Sequence, residues 1–201
     1  LKTVRWRIRP YQDNMKLKEK LAFFLWESHF STTFHNFCSD HKVVAINVHY
    51  PGPSAFAIER IIKRFARRIH LIFSFHGADV SAIASAKASE VTQWKRLLSG
   101  DGSSGVVVCS NDLGRQLVDL MGREISPLVI HNGLDAAAFS SMASASTPGA
   151  DRVILNVAKF EEKKGQDVLI NAFAEIAAKY EDVKLVLVGA TDAALPGLKA
   201  L

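Results

Sequence analysis

From Lys42 onward, short aliphatic and aromatic runs alternate with longer stretches in which apolar residues return every three to four positions. "KVVAINV", "IHLIFSF", "GVVVCS" and "SPLVIHNG" read as strands. "AFAIERIIKRFARR", "VSAIASAKASEVTQWKRLLS" and "NDLGRQLVDLMG" between them read as amphipathic helices. Strands apolar on both faces and joined by helices belong to a parallel sheet covered on each side, so the expected class is α/β. Upstream, "YQDNMKLKEKLAFFLWESHF" predicts a packing helix with a basic first half, whose partners the pattern does not name.

After Phe139 the pattern stops. "SSMASASTPGAD" holds small and turn-forming residues with no apolar period, as an interdomain linker does. A new β-α-β unit follows: a strand in "RVILNVAKF", a helix with Val168, Leu169, Ala172, Phe173, Ile176, Ala177 and Tyr180 on one face, and a strand in "VKLVLVG". The expected organisation is an N-terminal Rossmann-like domain over 1–139, a linker over 140–151 and the start of a second domain over 152–201. About 50 residues are marginal for a core of their own. The chain opens on Leu1 and closes in a helical pattern, so the expectation is a piece of a longer protein, with the first part of one domain and the rest of the other outside it.

Composition narrows the class little further. With 48% hydrophobic and 22% charged residues the chain is globular rather than disordered or fibrous, and a net charge of +5 favours an acidic partner without choosing among nucleic acid, anionic lipid and a phosphorylated ligand. Cys38 and Cys109 read as reduced thiols of a cytoplasmic protein rather than a disulfide framework. No apolar run approaches the roughly 20 residues of a spanning helix.

Chemistry gathers where predicted strands end. In parallel sheets, ligands sit beyond the carboxyl ends of strands, where helices present free N–H groups and a positive dipole end. Lys159, Lys164 and Gly165 fall there in the second unit, and two ammonium groups beside a glycine suit a diphosphate. The plainer reading is two solvated lysines paired with Glu161 and Glu162. His76, Gly77 and Asp79 follow the strand "IHLIFSF"; the histidine suits a substrate hydroxyl, or else Asp79 simply caps the next helix. Ser110-Asn111 reads as a helix cap, and Asn132-Gly133 as a turn.

Taken in order, these stretches resemble glycosyltransferase family 4, whose members have the GT-B fold. The resemblance rests on His76-Gly77-Ala78-Asp79, on Val108-Cys109-Ser110, on Asn132-Gly133-Leu134-Asp135 with Phe139, and on Ala158-Lys159-Phe160 with Lys164-Gly165. It implies two Rossmann-like domains with parallel sheets, the second cut short here, and a retaining transfer of a sugar, a hexosyl group, from a nucleotide-diphosphate donor bound between them. The acceptor is implied to be a hydroxyl of a glycan, a lipid-linked carrier or a small molecule. No cofactor or metal is implied, nor nucleic acid. On this resemblance Lys159, Lys164 and Gly165 hold the donor diphosphate, His76 is the catalytic residue near the transferred sugar, and Gly77, Asp79, Asn132 and Gly133 line the cleft.

Lys159 stands where the family has arginine, keeping the charge and losing the two-pronged grip. Thr191 stands at the second glycine of a Gly-x-Gly pattern. The family's glycine-bearing first loop and its paired glutamates would lie outside these residues, so the chain alone is expected to be inactive.

Three other patterns carry alternatives. Arg60, Lys63, Arg64, Arg67 and Arg68 share one face of a helix, which reads as a core-packing helix with a solvated basic side or as a peripheral contact with the inner face of a membrane. His35, Cys38 and His41 have metal-like spacing but no fourth ligand nearby. His49, before "YPGPSAF", stands at another strand end, on what would be the acceptor side. A nicotinamide oxidoreductase would need Gly-x-Gly-x-x-Gly at a strand-to-helix turn, which does not occur here. The remaining rival is a non-catalytic nucleotide- or membrane-binding α/β module.

Overall fold

The computed structural model describes residues 5–64, 69–100, 104–137 and 152–189. The chain divides into two compact units between Leu134 and Asp135.

The first unit runs α1 (Leu17–Asp40), β1 (Ala45–His49), α2 (Ser54–Lys63), β2 (His70–Phe75), α3 (Ala78–Ala84), α4 (Ala88–Leu98), β3 (Ser104–Val108), α5 (Asn111–Met121) and β4 (Leu128–Val129). The four strands are parallel and lie in the order β1-β2-β3-β4. Their alternation turns Leu71, Phe73 and Phe75 of β2 into a core completed by α1, α2, α4 and α5. Trp94 of α4 is its centre, fully buried, with its ring 4.5 Å from Phe56, 6.4 Å from Phe73 and 6.3 Å from Phe75.

Three elements differ from the sequence expectation. "VSAIASAKASEVTQWKRLLS" forms two helices, α3 and α4, rather than one. The apolar stripe of Val80 and Ile83 would continue at Lys87, and a charge has no place in the core; Lys87 instead takes an extended backbone (φ −64°, ψ 147°) and α4 restarts after it. β4 is two residues long, with Pro127 before it and the irregular Asn132-Gly133 stretch after it. The first helix runs ten residues past Phe30, because Phe34 and Cys38 keep its buried stripe going.

That helix also finds its partner. Glu27 of α1 is 1% exposed, and its two oxygens meet Arg60 at 2.8 Å and Arg64 at 3.1 Å. Two cations of the basic α2 face are thereby turned onto α1, while Ala55, Phe56, Ile58, Ile61 and Ile62 enter the core. Phe65, Arg67 and Arg68 lie outside the described residues. Among the described residues no helix is long and apolar enough to cross a membrane.

The second unit has β5 (Arg152–Val157), a 3-10 turn (Glu162–Lys164), α6 (Gln166–Ala177) and β6 (Val183–Val188). The strands pair in parallel, with Leu155 opposite Val186 and Val157 opposite Val188. Arg152 clamps the start of the pair, donating to both oxygens of Asp182 at 2.7 and 2.8 Å. Ile154, Leu185 and Leu187 are half-buried on one face of the sheet, whereas Val153, Leu155, Val157, Val186 and Val188 on the other are exposed. Phe139, the expected linker and Thr191 lie outside the described residues.

Candidate functional site

Residues with chemistry collect at the carboxyl edge of each sheet. In the first unit, β1 and β2 pair so that His49 lies opposite Ser74. The pleat turns Asn47, His49, Ser74 and His76 to the face opposite Phe73 and Phe75. Ser74 donates to Asn47 at 2.8 Å, and one step nearer the edge Nδ1 of His49 lies 3.0 Å from Nε2 of His76. The His76 ring also stacks on Tyr50, with centroids 4.2 Å apart. Tyr50 adopts a left-handed backbone (φ 50°), held by its N–H on the carbonyl of Ser74 at 3.1 Å. For a non-glycine residue this conformation costs about 1–2 kcal/mol, so the contacts around Tyr50 must offset it.

The turn after β2 is built around Asp79. Its carboxylate, 7% exposed, accepts from the N–H groups of His76 at 2.9 Å, Gly77 at 2.8 Å and Val80 at 2.9 Å. Gly77 has φ 116°, which a side chain rarely adopts. Asp79 therefore faces the loop it braces, and the ring of His76 is what that loop presents.

In the second unit the chain leaves β5 through Ala158, Lys159 and the buried Phe160, makes the 3-10 turn, and enters α6 at Gly165, whose backbone is left-handed (φ 64°). Gln166, 3% exposed, donates from its amide to the carbonyl of Lys159 at 2.9 Å, tying the start of the loop to the first turn of α6. Lys163 pairs with Glu161 at 3.0 Å. The Glu161 carboxyl is held below its ordinary range, mainly by that hydrogen bond, with Lys163, Lys159 and Lys164 adding attraction. Among the described residues, Lys159 and Lys164 have no ion-pair partner, so Glu161 neutralises the lysine between them in the turn. Close approach shapes the same edge. A Cβ on Gly189, at the end of β6, would fall 1.8 Å from the carbonyl oxygen of Ala158.

Each sheet edge thus gathers its sequence-predicted residues: His76, Gly77 and Asp79 in one unit, Lys159, Lys164 and Gly165 in the other. Asn132 and Gly133 lie in irregular, exposed chain after β4. Ser110 caps α5 by accepting from the N–H of Leu113 at 3.1 Å. Cys38 is buried in the core while His35 and His41 are exposed, so these three do not converge. The sequence reading passed over Tyr50, Lys163 and Gln166, and gave His49 no partner. An aromatic at a strand end and a glutamine directly after a loop glycine were the signals available.

Two family models divide the chain between them. The model described as Glycosyltransferase Family 4 matches residues 5–138, and that described as Glycosyl transferases group 1 matches residues 140–199. No curated protein matches the chain. The first match alone covers about two thirds of the residues, and its span carries the parallel sheet and the His76 loop. The chain belongs to glycosyltransferase family 4.

Proposed function

We propose that this chain supplies the donor-diphosphate and sugar contacts of a retaining hexosyl transfer from a nucleotide-diphosphate sugar to an acceptor hydroxyl. The observation that carries the reading is the loop between β5 and α6, where Lys159 and Lys164 stand outside the Glu161–Lys163 ion pair, beside the left-handed Gly165 and the start of a helix. Ammonium groups there favour an anion, and the helix start adds N–H donors and a positive dipole end. Breaking the sugar–diphosphate bond places extra negative charge on the leaving diphosphate. Two cations at that loop stabilise this product-like charge more than the intact donor, which is what lowers a barrier. On this reading the lysines fill the role a metal ion would otherwise take, and transfer survives a chelator.

His76 is assigned to a hydroxyl of the transferred sugar. Its backbone is pinned by Asp79 and its ring by Tyr50 and His49, so little freedom is lost when a ligand meets it. The acceptor, whether glycan, lipid-linked carrier or small molecule, is placed on the same side as His49.

The test is titration of the chain with UDP, GDP and ADP by calorimetry, with Lys164→Ala alongside. Binding of the preferred diphosphate should weaken about tenfold or more in the variant, as for loss of a charge-assisted contact. In a complete transferase that carries these residues, the same substitution should lower kcat/KM by about a hundredfold. Unchanged binding and near-normal turnover would remove the lysines from the mechanism.

A further inference from the structure

His49 ends β1 and His76 directly follows β2, 27 positions on in sequence, and the two meet ring to ring. Nδ1 of His49 is 3.0 Å from Nε2 of His76, and the ring centroids are 5.3 Å apart. The approach is prepared from below by the Ser74 to Asn47 hydrogen bond between the same two strands. It is held from the side by Tyr50 on the His76 ring and from the backbone by Asp79. Among the described residues, Tyr50, Asp79 and the His49 imidazole are titratable groups in contact with His76.

One hydrogen bond between two imidazole nitrogens needs one N–H and one lone pair. When both rings are neutral, only two arrangements satisfy it. Either Nδ1–H of His49 donates, and the His76 proton sits on Nδ1, or Nε2–H of His76 donates, and its Nδ1 keeps the lone pair. Both arrangements commit Nε2 of His76 and leave Nδ1 as the ring nitrogen able to meet a ligand. The tautomer of His49 therefore decides whether His76 offers its ligand a donor or an acceptor.

We propose that His49 is the positioning residue of His76: it occupies Nε2, fixes the ring plane together with Tyr50, and sets the tautomer in which Nδ1 meets a sugar hydroxyl. The sugar as occupant rests on the function proposed above; the coupling of the two rings does not. His49 acts through His76 and needs no contact with the reacting atoms.

The experiment is NMR of the ring nitrogens in the 15N-labelled chain, with His49→Phe and His49→Asn alongside. The expected result is a scalar coupling across the hydrogen bond between Nδ1 of His49 and Nε2 of His76, with the ring-nitrogen shifts of His76 moving in His49→Phe. Absence of the coupling, with His76 shifts unchanged in that variant, overturns the proposal. If His49→Phe does not fold, the coupling in the unsubstituted chain decides alone. In a complete transferase that carries these residues, His49→Phe should lower kcat about tenfold with donor KM little changed, the effect of one positioning hydrogen bond, and His49→Asn should restore most of it. Wild-type kcat in His49→Phe would also overturn the proposal. A coupled pair together with full activity in His76→Ala would instead uphold the pairing and sink the sugar-transfer reading.

Discussion

The carboxylate of Asp79 accepts from three backbone N–H groups within one turn, and His76 is the first of them. Asparagine at this position would keep one acceptor oxygen and aim an N–H at donors. Asp79→Asn should therefore destabilise the first unit by about 1–3 kcal/mol, read as a shift of the urea midpoint, as for lost hydrogen bonds to a buried charge. An unmoved midpoint would mean the turn holds without its brace. At this scale the sequence was informative about which residues stand at the edge, since His76, Gly77, Asp79, Lys159 and Lys164 all follow predicted strands. It was silent about which residues they touch. The contact of His49 with His76 depends on the register of β1 against β2, which two runs of similar apolar character leave open.

The α1–α2 pair shows the same limit one level up. Periodicity foretold both helices and the basic face of α2, but the buried Glu27 that draws in Arg60 and Arg64 lies 33 residues before Arg60. Arg60 is about one third exposed at its side chain and regains water when unpaired; Glu27 does not. Arg60→Ala should thus destabilise the first unit by about 1–3 kcal/mol, measured by denaturant unfolding, chiefly because Glu27 loses its better-placed donor. Lys63→Ala on the same helix, where the partner is the neighbouring Glu59, should change stability by less than about 0.5 kcal/mol. Equal effects from the two would show that Glu27 reaches water.

For the molecule as a whole, the two units differ in how much they bury. The first has a continuous core around Trp94, while the second leaves five aliphatic side chains of its two strands exposed. Trp6, Trp26 and Trp94 all belong to the first unit, so tryptophan fluorescence reports it alone, whereas far-ultraviolet dichroism reports both. Urea unfolding should give two curves that do not coincide, dichroism changing first. Acid should weaken the second unit through two ion pairs. The Asp182 carboxyl lies below its ordinary range, first through its hydrogen bond to Arg152, and Glu161 likewise through Lys163. Groups with lowered values stabilise the folded state above the usual carboxylate range and lose that contribution as pH falls through the lowered value. Both pairs are exposed, so their share of the acid shift should be small, fall in the dichroism change of the second unit, and be absent in Asp182→Asn combined with Glu161→Gln. Coincident curves at every pH would mean one cooperative unit.

The left-handed turn at Tyr50 bears on any attempt to make this molecule hardier. Glycine there would relieve about 1 kcal/mol of backbone strain and would take the aromatic cover off His76. A library screened only for thermal tolerance would enrich glycine at position 50, and its hardiest members would be those in which the His76 imidazole turns most freely.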